Sequence, residues 1–287
     1  LGAGARINYT DTQVLFKKAF DLAESLTSTN EKSIQAVKHQ SSINFNKTIQ
    51  INKRVIGGDS LPYIIAEAGM NHNGSLNLGR KIIDAALKTG CDAVKFQTFM
   101  PDSRVSSKVK SVDFVELTDG VEETMYDMFS RLSMPFSKQK ELFNYAKSCG
   151  IEVFSTPFDF ESVDFLESLE VDVYKIASMD LVNLPLIKYV AKTQKPIILS
   201  TGMSNLGMIE DALQVIAKEG NSNVALLHCN STYPAAVEDM NINAINTLKK
   251  CFNIPVGLSD HSFGLLTSTV ALSIGSDIIE RHFTLNK

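Results

Sequence analysis

The stretch "YIIAEAGMNHNGS", residues 63 to 75, decides the fold. Tyr63, Ile64, Ile65 and Ala66 read as a strand covered on both faces, as strands of a parallel sheet are. Glu67 and Gly69 follow, and then Asn71, His72, Asn73 and Gly74 crowd together. A carboxylate, amides and an imidazole at the tip of an apolar strand are costly to desolvate without a partner or a use. Next comes "LNLGRKIIDAALKTG", an amphipathic helical stretch closing on Gly90, a residue type common just past a helix C-terminus.

The same unit recurs outward from there. "DAVKFQTF" (92), "IEVFSTPF" (151), "VDVYKIAS" (171), "PIILSTG" (196), "VALLHCN" (224), "IPVGLSD" (254) and "DIIERHF" (277) are further strand candidates, each with a polar tip. Helical stretches lie between them, such as "SKQKELFNYAKSCG" and "LGMIEDALQVIAKEG", ending at Gly150 and Gly220. Strands alternating with helices predict parallel βα units. Eight strands suit a closed barrel better than an open sheet, and no GxGxxG follows the first one. The expected fold is therefore α/β, a (β/α)8 TIM barrel over residues 48–287 that lacks its last helix. The long gap between the second and third strands holds "MPDSRVSSKVKSVDFVELTDGVEE", expected to be a mobile loop over the site.

Residues 1–47 differ in character and are expected to form an N-terminal helical and linker extension. "TDTQVLFKKAFDLAESL" has a helical period through Val14, Leu15, Ala19, Leu22 and Leu26, and a polar segment follows it. The chain of 287 residues, 44% apolar with a formal net charge of −4, can bury a large core. That balance argues against a nucleic-acid binder, and no apolar run is long enough to span a membrane. Four cysteines without CxxC spacing, Cys91, Cys149, Cys229 and Cys251, read as reduced and mostly buried thiols of a cytoplasmic protein. The opening without methionine and the end at "HFTLNK" read as a piece of something longer.

On a (β/α)8 barrel the C-terminal strand ends form the active face. Here they carry Glu67, Lys95 with Gln97, Thr156, Lys175 with Ser178, Ser200 with Thr201, His228, Ser259 with Asp260 and His261, and Glu280 with His282. Packing does not explain so many polar groups at one mouth. Lys95 and Lys175 sit within apolar strands, so each needs a protein carboxylate or an anionic ligand. Two lysines beside hydroxyls suit a phosphate and a carboxylate. His261 and His282 stand at adjacent strand ends. With Glu280 or Asp260 near, they suit a divalent ion with open positions, or else they are hydrogen-bonded braces for loops. Glu67 suits acid–base work, or serves as a lysine counter-ion. His72 is expected to brace the first loop, His228 to line a wall, and His39 to be solvated.

"IAEAGMNHNGSLNLGRKIIDAALKTGCDAVKFQTF", "FSTPFD", "YKIAS", "PIILSTGM", "LLHCNSTYP", "VGLSDHS" and "ERHFTLNK" together resemble the sialic acid synthase family, from residue 48 to 287. The resemblance implies condensation of phosphoenolpyruvate with an N-acetylated hexose to a nonulosonic acid. Phosphoenolpyruvate C3 attacks the aldehyde of the open-chain sugar, water adds at C2, and phosphate leaves by C–O cleavage. It implies that Lys95, Lys175, Ser178 and Ser259 hold phosphoenolpyruvate, with Asn230 or Ser231 beside them. Tyr233 would line the sugar pocket, and Gln97 and Asn71 would complete substrate binding. His261 and His282 would hold a divalent metal, manganese first, with magnesium or cobalt as alternatives. Glu67 would do the acid–base chemistry.

"NHNGS" looks more like the N-acetylneuraminate and legionaminate branch than the pseudaminate one, which leaves N-acetylmannosamine or a 2,4-diacetamido-trideoxy relative as the sugar. Family members continue past this point with a sugar-binding aspartate and a small antifreeze-like domain, and form homodimers. Asn286 stands where they carry Asp. The N-terminal segment faintly resembles the tail of a nucleotide-sugar hydrolase, although a tethering helix is the simpler reading. Another phosphoenolpyruvate-dependent aldol-type synthase, or a non-catalytic ligand-binding barrel, are the competing readings.

Overall fold

The computed structural model describes residues 44–106 and 124–285. The extension expected over residues 1–47 therefore lies almost wholly outside the described residues. So do His39, residues 107–123 of the expected mobile loop, and Asn286. Residues Ile43–Lys287 make one compact unit.

Two short strands open it, β1 (Ile49–Ile51) and β2 (Arg54–Ile56), paired antiparallel around Asn52. Eight strands follow: β3 (Tyr63–Gly69), β4 (Ala93–Thr98), β5 (Glu152–Pro157), β6 (Tyr174–Ile176), β7 (Ile197–Ser200), β8 (Val224–Cys229), β9 (Val256–Asp260) and β10 (Ile278–His282). They close into a barrel in chain order, with β10 pairing β3 and every neighbour parallel. This is the (β/α)8 barrel expected from the repeat. Each of the eight candidate strands forms, although "VDVYKIAS" contributes only three residues to the sheet.

Helices Leu76–Lys88, Phe136–Cys149, Phe160–Ser168, Leu184–Ala191, Leu206–Lys218, Ala244–Phe252 and Leu266–Ser273 join successive strands. Their starts are set by side chains that accept an otherwise unpaired backbone N–H. Ser75, Asp159, Asn183 and Asn205 each bond an amide three residues on. Gly150 ends its helix in the left-handed conformation, at φ 79°, where a Cβ would be strained. Two further helical segments, Pro101–Arg104 and Met125–Leu132, occupy the long β4–β5 connection.

The apolar residues divide between two layers because side chains alternate along a strand. One set, including Val94, Phe96, Val153, Ile176 and Leu199, faces the helices. The other faces into the barrel: Tyr63, Ile65, Ala93, Phe154, Val173, Ile198, Ala225, Leu227 and Ile278. Ile49, Ile51 and Ile56 of the β1–β2 hairpin join this inner cluster and close the end where the barrel strands begin. The hairpin thus forms a floor, and the interior turns polar only toward the strand ends. Of the four cysteines only Cys229 is buried, which corrects the expectation of mostly buried thiols, and all are free.

Candidate active site

The register of the barrel puts the inward residues of neighbouring strands side by side. Glu67 is level with Lys95 on one side and His282 on the other, and Ser259 is level with Glu280. Lys95, Lys175, Glu67 and Glu280 are each 3–4% exposed, so all four depend on one another rather than on water. Lys95 Nζ lies 2.6 Å from Glu67 Oε2 and 3.5 Å from Glu280 Oε2, and donates to Thr156 Oγ1 at 3.2 Å. Lys175 Nζ lies 3.8 Å from Glu280 Oε1 and donates to Ser200 Oγ at 2.6 Å and to the Ile176 carbonyl at 3.2 Å. Two cations and two carboxylates thus form one buried, balanced quartet.

The two lysines are not equivalent. Burial pulls the Lys95 ammonium down, but Glu280 and Glu67 outweigh it and hold its pKa above the usual lysine value. Burial pulls Lys175 down too. With Glu280 further off and Lys95 repelling it, its pKa ends below the usual value. Burial would raise Glu280; Lys175, Lys95 and the Ser259 hydroxyl reverse that and hold it well below the carboxylate range. Lys175 is therefore the less firmly paired cation and the one freer to turn to a ligand.

Hydroxyls and amides surround the quartet. Gln97 donates to Glu67 Oε1 at 3.2 Å, while its own Oε1 is buried without a hydrogen-bond partner. Ser178 Oγ accepts the Gly202 amide at 3.0 Å, which leaves its O–H to donate elsewhere. A Cβ added at Gly202 would come within 2.4 Å of Ser231 Oγ and 2.8 Å of Ser178 Oγ, so these two hydroxyls converge on a cradle that only glycine leaves open. Ser259 donates to Glu280 at 2.8 Å rather than facing the mouth freely. Asn71 donates to the Phe283 carbonyl at 2.9 Å, tying the loop after β3 to the end of β10.

The imidazoles meet beside the quartet. The His261 and His282 ring centroids are 5.4 Å apart, and the Tyr233 ring packs over His261 at 4.0 Å and against His282 at 5.7 Å. His261 Nδ1 is 2.7 Å from the Asn230 carbonyl. A carbonyl only accepts, so Nδ1 carries the proton and Nε2 is left with its lone pair, the form that ligates a metal. Among the described residues no third His, Cys, Asp or Glu completes a cluster with them. The donor set therefore fits a divalent ion held by two imidazoles, with its other positions left to water or substrate.

Several candidates do other work. Asp260, weighed from sequence as a neighbour of the metal, faces away from the mouth. Its Oδ1 accepts from the Ser262 amide at 2.9 Å and the Ser262 hydroxyl at 2.7 Å, its Oδ2 accepts from Thr267 at 2.6 Å, and Arg281 pairs with it. The physical reason is parity: Ser259 points inward, so Asp260 points out. His72 accepts the Gly74 amide on Nδ1 at 3.0 Å and braces its own loop. His228 Nε2 donates to the Met240 carbonyl at 2.6 Å on the barrel's outer side. The sequence pattern places Glu280 beside the metal, whereas the structure puts it between the lysines. Thr156 and Ser200, read from sequence as strand-tip groups at the mouth, accept from Lys95 and Lys175. Gly202 is not singled out by that reading, although the run "STG" at a strand end points to it.

The fold is thus a closed (β/α)8 barrel with paired lysines, convergent hydroxyls and two imidazoles at its C-terminal mouth. Residues 82–287 match the NeuB family. The chain is 46% identical over 226 residues to the N,N'-diacetyllegionaminic acid synthase of Campylobacter jejuni subsp. jejuni serotype O:2, covering 78% of this chain and 68% of that protein. It is 39% identical over 231 residues to the pseudaminic acid synthase of the same organism, covering 80% and 67%. Among solved structures, the N-acetylneuraminic acid synthetase of Leptospira borgpetersenii serovar Hardjo-bovis, in complex with citrate, superposes with a TM-score of 0.74 at 32% identity, over 85% of this chain and 80% of that one. The chain belongs to the NeuB family. It spans about two thirds of the length of the curated relatives it matches.

Proposed function

We propose that this barrel catalyses condensation of phosphoenolpyruvate with an N-acetylated hexose to a nonulosonic acid, as a carbon–carbon bond-forming transferase. The observation that carries this is the quartet of Glu67, Lys95, Glu280 and Lys175 set directly beside two imidazoles. Relatives that make legionaminic, pseudaminic and N-acetylneuraminic-type acids support the product class. The "NHNGS" segment, together with a higher identity to legionaminic acid synthase than to pseudaminic acid synthase, favours the legionaminate and N-acetylneuraminate branch.

Lys175 and Lys95 bind the phosphate and carboxylate, and the Ser178 and Ser231 hydroxyls donate to the oxygens lodged near Gly202. Bound in this way, the anion is held for attack by its C3 on the sugar aldehyde, and the buried lysines stabilise negative charge without solvent reorganisation. Glu67, oriented by Lys95 and Gln97, exchanges a proton with the water that adds at C2. The C2–O bond to phosphate then breaks, and the cationic pair receives the departing anion. Tyr233 and Asn71 form the wall on the sugar side. His261 and His282 would hold the divalent ion, manganese in this reading, which supplies Lewis acidity toward a carbonyl oxygen when bound. The complete protein is a homodimer in the same reading.

Calorimetric titration of phosphoenolpyruvate into this chain, with and without manganese, tests the reading because it needs no sugar. Saturable binding is expected. Absence of binding by folded protein would sink it. Product mass from a longer chain supplied with N-acetylated sugars separates a nine-carbon acid from the shorter acid of a deoxyheptulosonate-type synthase. The likeness to such barrels from Thermotoga maritima, at 16% identity, is one of fold alone.

A further inference from the structure

A second buried polar network lies behind the two histidines. Arg281 and Asp260 are direct partners in the β10–β9 ladder, the last pair of that register. Each is the chain neighbour of one imidazole: Asp260 precedes His261 and Arg281 precedes His282. Both side chains point out of the barrel, toward the helix layer, while the imidazoles stand at the mouth.

The network is saturated. The Asp260 carboxylate, 2% exposed, accepts from Ser262 N at 2.9 Å, Ser262 Oγ at 2.7 Å, Thr267 Oγ1 at 2.6 Å and the Ser268 hydroxyl, and pairs with Arg281 Nη1 at 3.2 Å. Arg281 in turn donates from Nη2 to the Ser262 carbonyl at 2.7 Å and from Nη1 to the Gly264 carbonyl. The guanidinium fork therefore ties one strand, through the carboxylate, to the turn that begins at His261. That turn is held on its other side by the Ala235 amide, which donates to the His261 carbonyl at 3.0 Å.

We propose that the Asp260–Arg281 pair is a positioning clamp, locking β9 to β10 one residue short of His261 and His282 and so setting how the two imidazoles face each other. A planar fork with several fixed donors does this, whereas a point charge on a flexible stem holds only the carboxylate. The consequence for metal binding rests on the proposed two-imidazole metal site. The clamp itself is testable without metal.

The test compares wild type with Arg281→Met and Arg281→Lys, each checked for folding by circular dichroism. Long-range proton–nitrogen correlations of the imidazoles, recorded without metal, report the His261 tautomer. Wild type should show a single Nδ1-protonated form, and Arg281→Met an average of two. Manganese titration should then weaken by about 10- to 100-fold, as expected when support behind a ligand is lost. Arg281→Lys should fall between the two. Phosphoenolpyruvate titration without metal should change less than twofold, since the quartet is untouched; a loss of general rigidity would weaken it as well.

A folded Arg281→Met protein with wild-type imidazole signals overturns the clamp, whatever the metal does. If Arg281→Met does not fold, Arg281→Lys carries the same two readouts, and wild-type imidazole signals in that variant overturn the clamp equally. Wild type that takes up no manganese, yet loses its single tautomer on substitution, would sink the metal reading and leave the clamp standing.

Discussion

The two ends of the barrel interior are built from the same eight strands by the same alternation, yet they have opposite chemistry. At the floor, Tyr63, Ile65, Phe154, Val173, Ile198 and Ile278 pack with the hairpin isoleucines in one apolar cluster. Two residues further along the same strands, Glu67 follows Ile65, Thr156 follows Phe154, Lys175 follows Val173, Ser200 follows Ile198 and Glu280 follows Ile278. Shape and burial are alike at both levels, so burial alone does not choose the residue type. The floor supplies apolar area removed from water. The mouth holds charges that must be balanced by one another until a ligand arrives. Stability and function are thus separated by a single pleat.

That separation can be broken from either side. The largest effect is expected at the floor: Phe154→Ala should cost roughly 3–5 kcal/mol of unfolding free energy, the usual range for emptying a buried aromatic site. Urea unfolding measures this. Phe154 is the register partner of Lys95, so phosphoenolpyruvate affinity of the molecules still folded tests the separation directly: an unchanged value keeps it, and a fall in both would show that floor and mouth are coupled. At the mouth, Lys175→Ala should cost about 2–5 kcal/mol of phosphoenolpyruvate affinity, as when one partner of a desolvated charge pair is truncated. Glu280 keeps Lys95 as its neighbour in that variant, which limits the loss of stability. Calorimetry reads the first quantity and urea the second. An unchanged affinity would make Lys175 a structural cation.

His72 sharpens the comparison, because it is an ionisable group near the mouth that behaves like a floor residue. It is buried beside Phe96, and burial holds its pKa down to about 4. The unfolded chain, with an ordinary imidazole near 6.5, binds the extra proton first as pH falls. Stability from this group is therefore complete above about pH 6.5 and is lost as pH drops toward 4, by roughly 3 kcal/mol in all. His72→Asn keeps an acceptor for the Gly74 amide but cannot titrate. Its unfolding free energy should fall less steeply between pH 6.5 and 4 than that of wild type. Parallel curves would show that His72 is not the group being protonated.

How much of this is legible in the sequence depends on the distance over which the cause acts. The βα repeat is local, and each strand is announced by a β-branched run before a polar tip and a capped helix. Glu67, both lysines and the two histidines show up because ionisable residues at the tips of apolar strands conflict with burial. The β1–β2 hairpin does not, since two strands of three residues are too short to show a period. The pairing of Glu280 with Lys95 and Lys175 joins residues more than a hundred positions apart and exists only once β10 closes on β3. Asp260 is a different kind of miss. In "LSDH" two adjacent polar residues must face opposite sides of a strand, so either Ser259 or Asp260 had to leave the mouth, and the parity of Asp260 with Val256 and Leu258, which pack in the outer layer, decides which.

Two glycines give the finest test of the contrast. Gly79 lies in the outer helix layer, where an added Cβ would sit 2.9 Å from both terminal carbons of Leu142. Gly202 lies at the mouth, where an added Cβ would meet the Ser231 and Ser178 hydroxyls at 2.4 and 2.8 Å. A methyl group against a packed leucine forces two helices apart, so Gly79→Ala should lower stability and leave ligand affinity alone. At Gly202 the methyl group would meet two serine hydroxyls that can turn and would also sit 3.2 Å from the Cys229 carbonyl, which must give by a few tenths of an ångström. Gly202 does not occupy the left-handed region, so alanine is accepted by its backbone and narrows the unfolded ensemble slightly. Gly202→Ala should still cost about 1–3 kcal/mol of unfolding free energy, the usual range for adding a methyl group to a packed site. The hydroxyls that turn aside, however, are those proposed to meet the anion. Losing one aimed hydrogen bond to a charged ligand corresponds to about a tenfold weaker phosphoenolpyruvate affinity. If Gly202→Ala binds phosphoenolpyruvate like wild type, the cradle of Ser178 and Ser231 is not where the anion sits, and the lysines alone hold it.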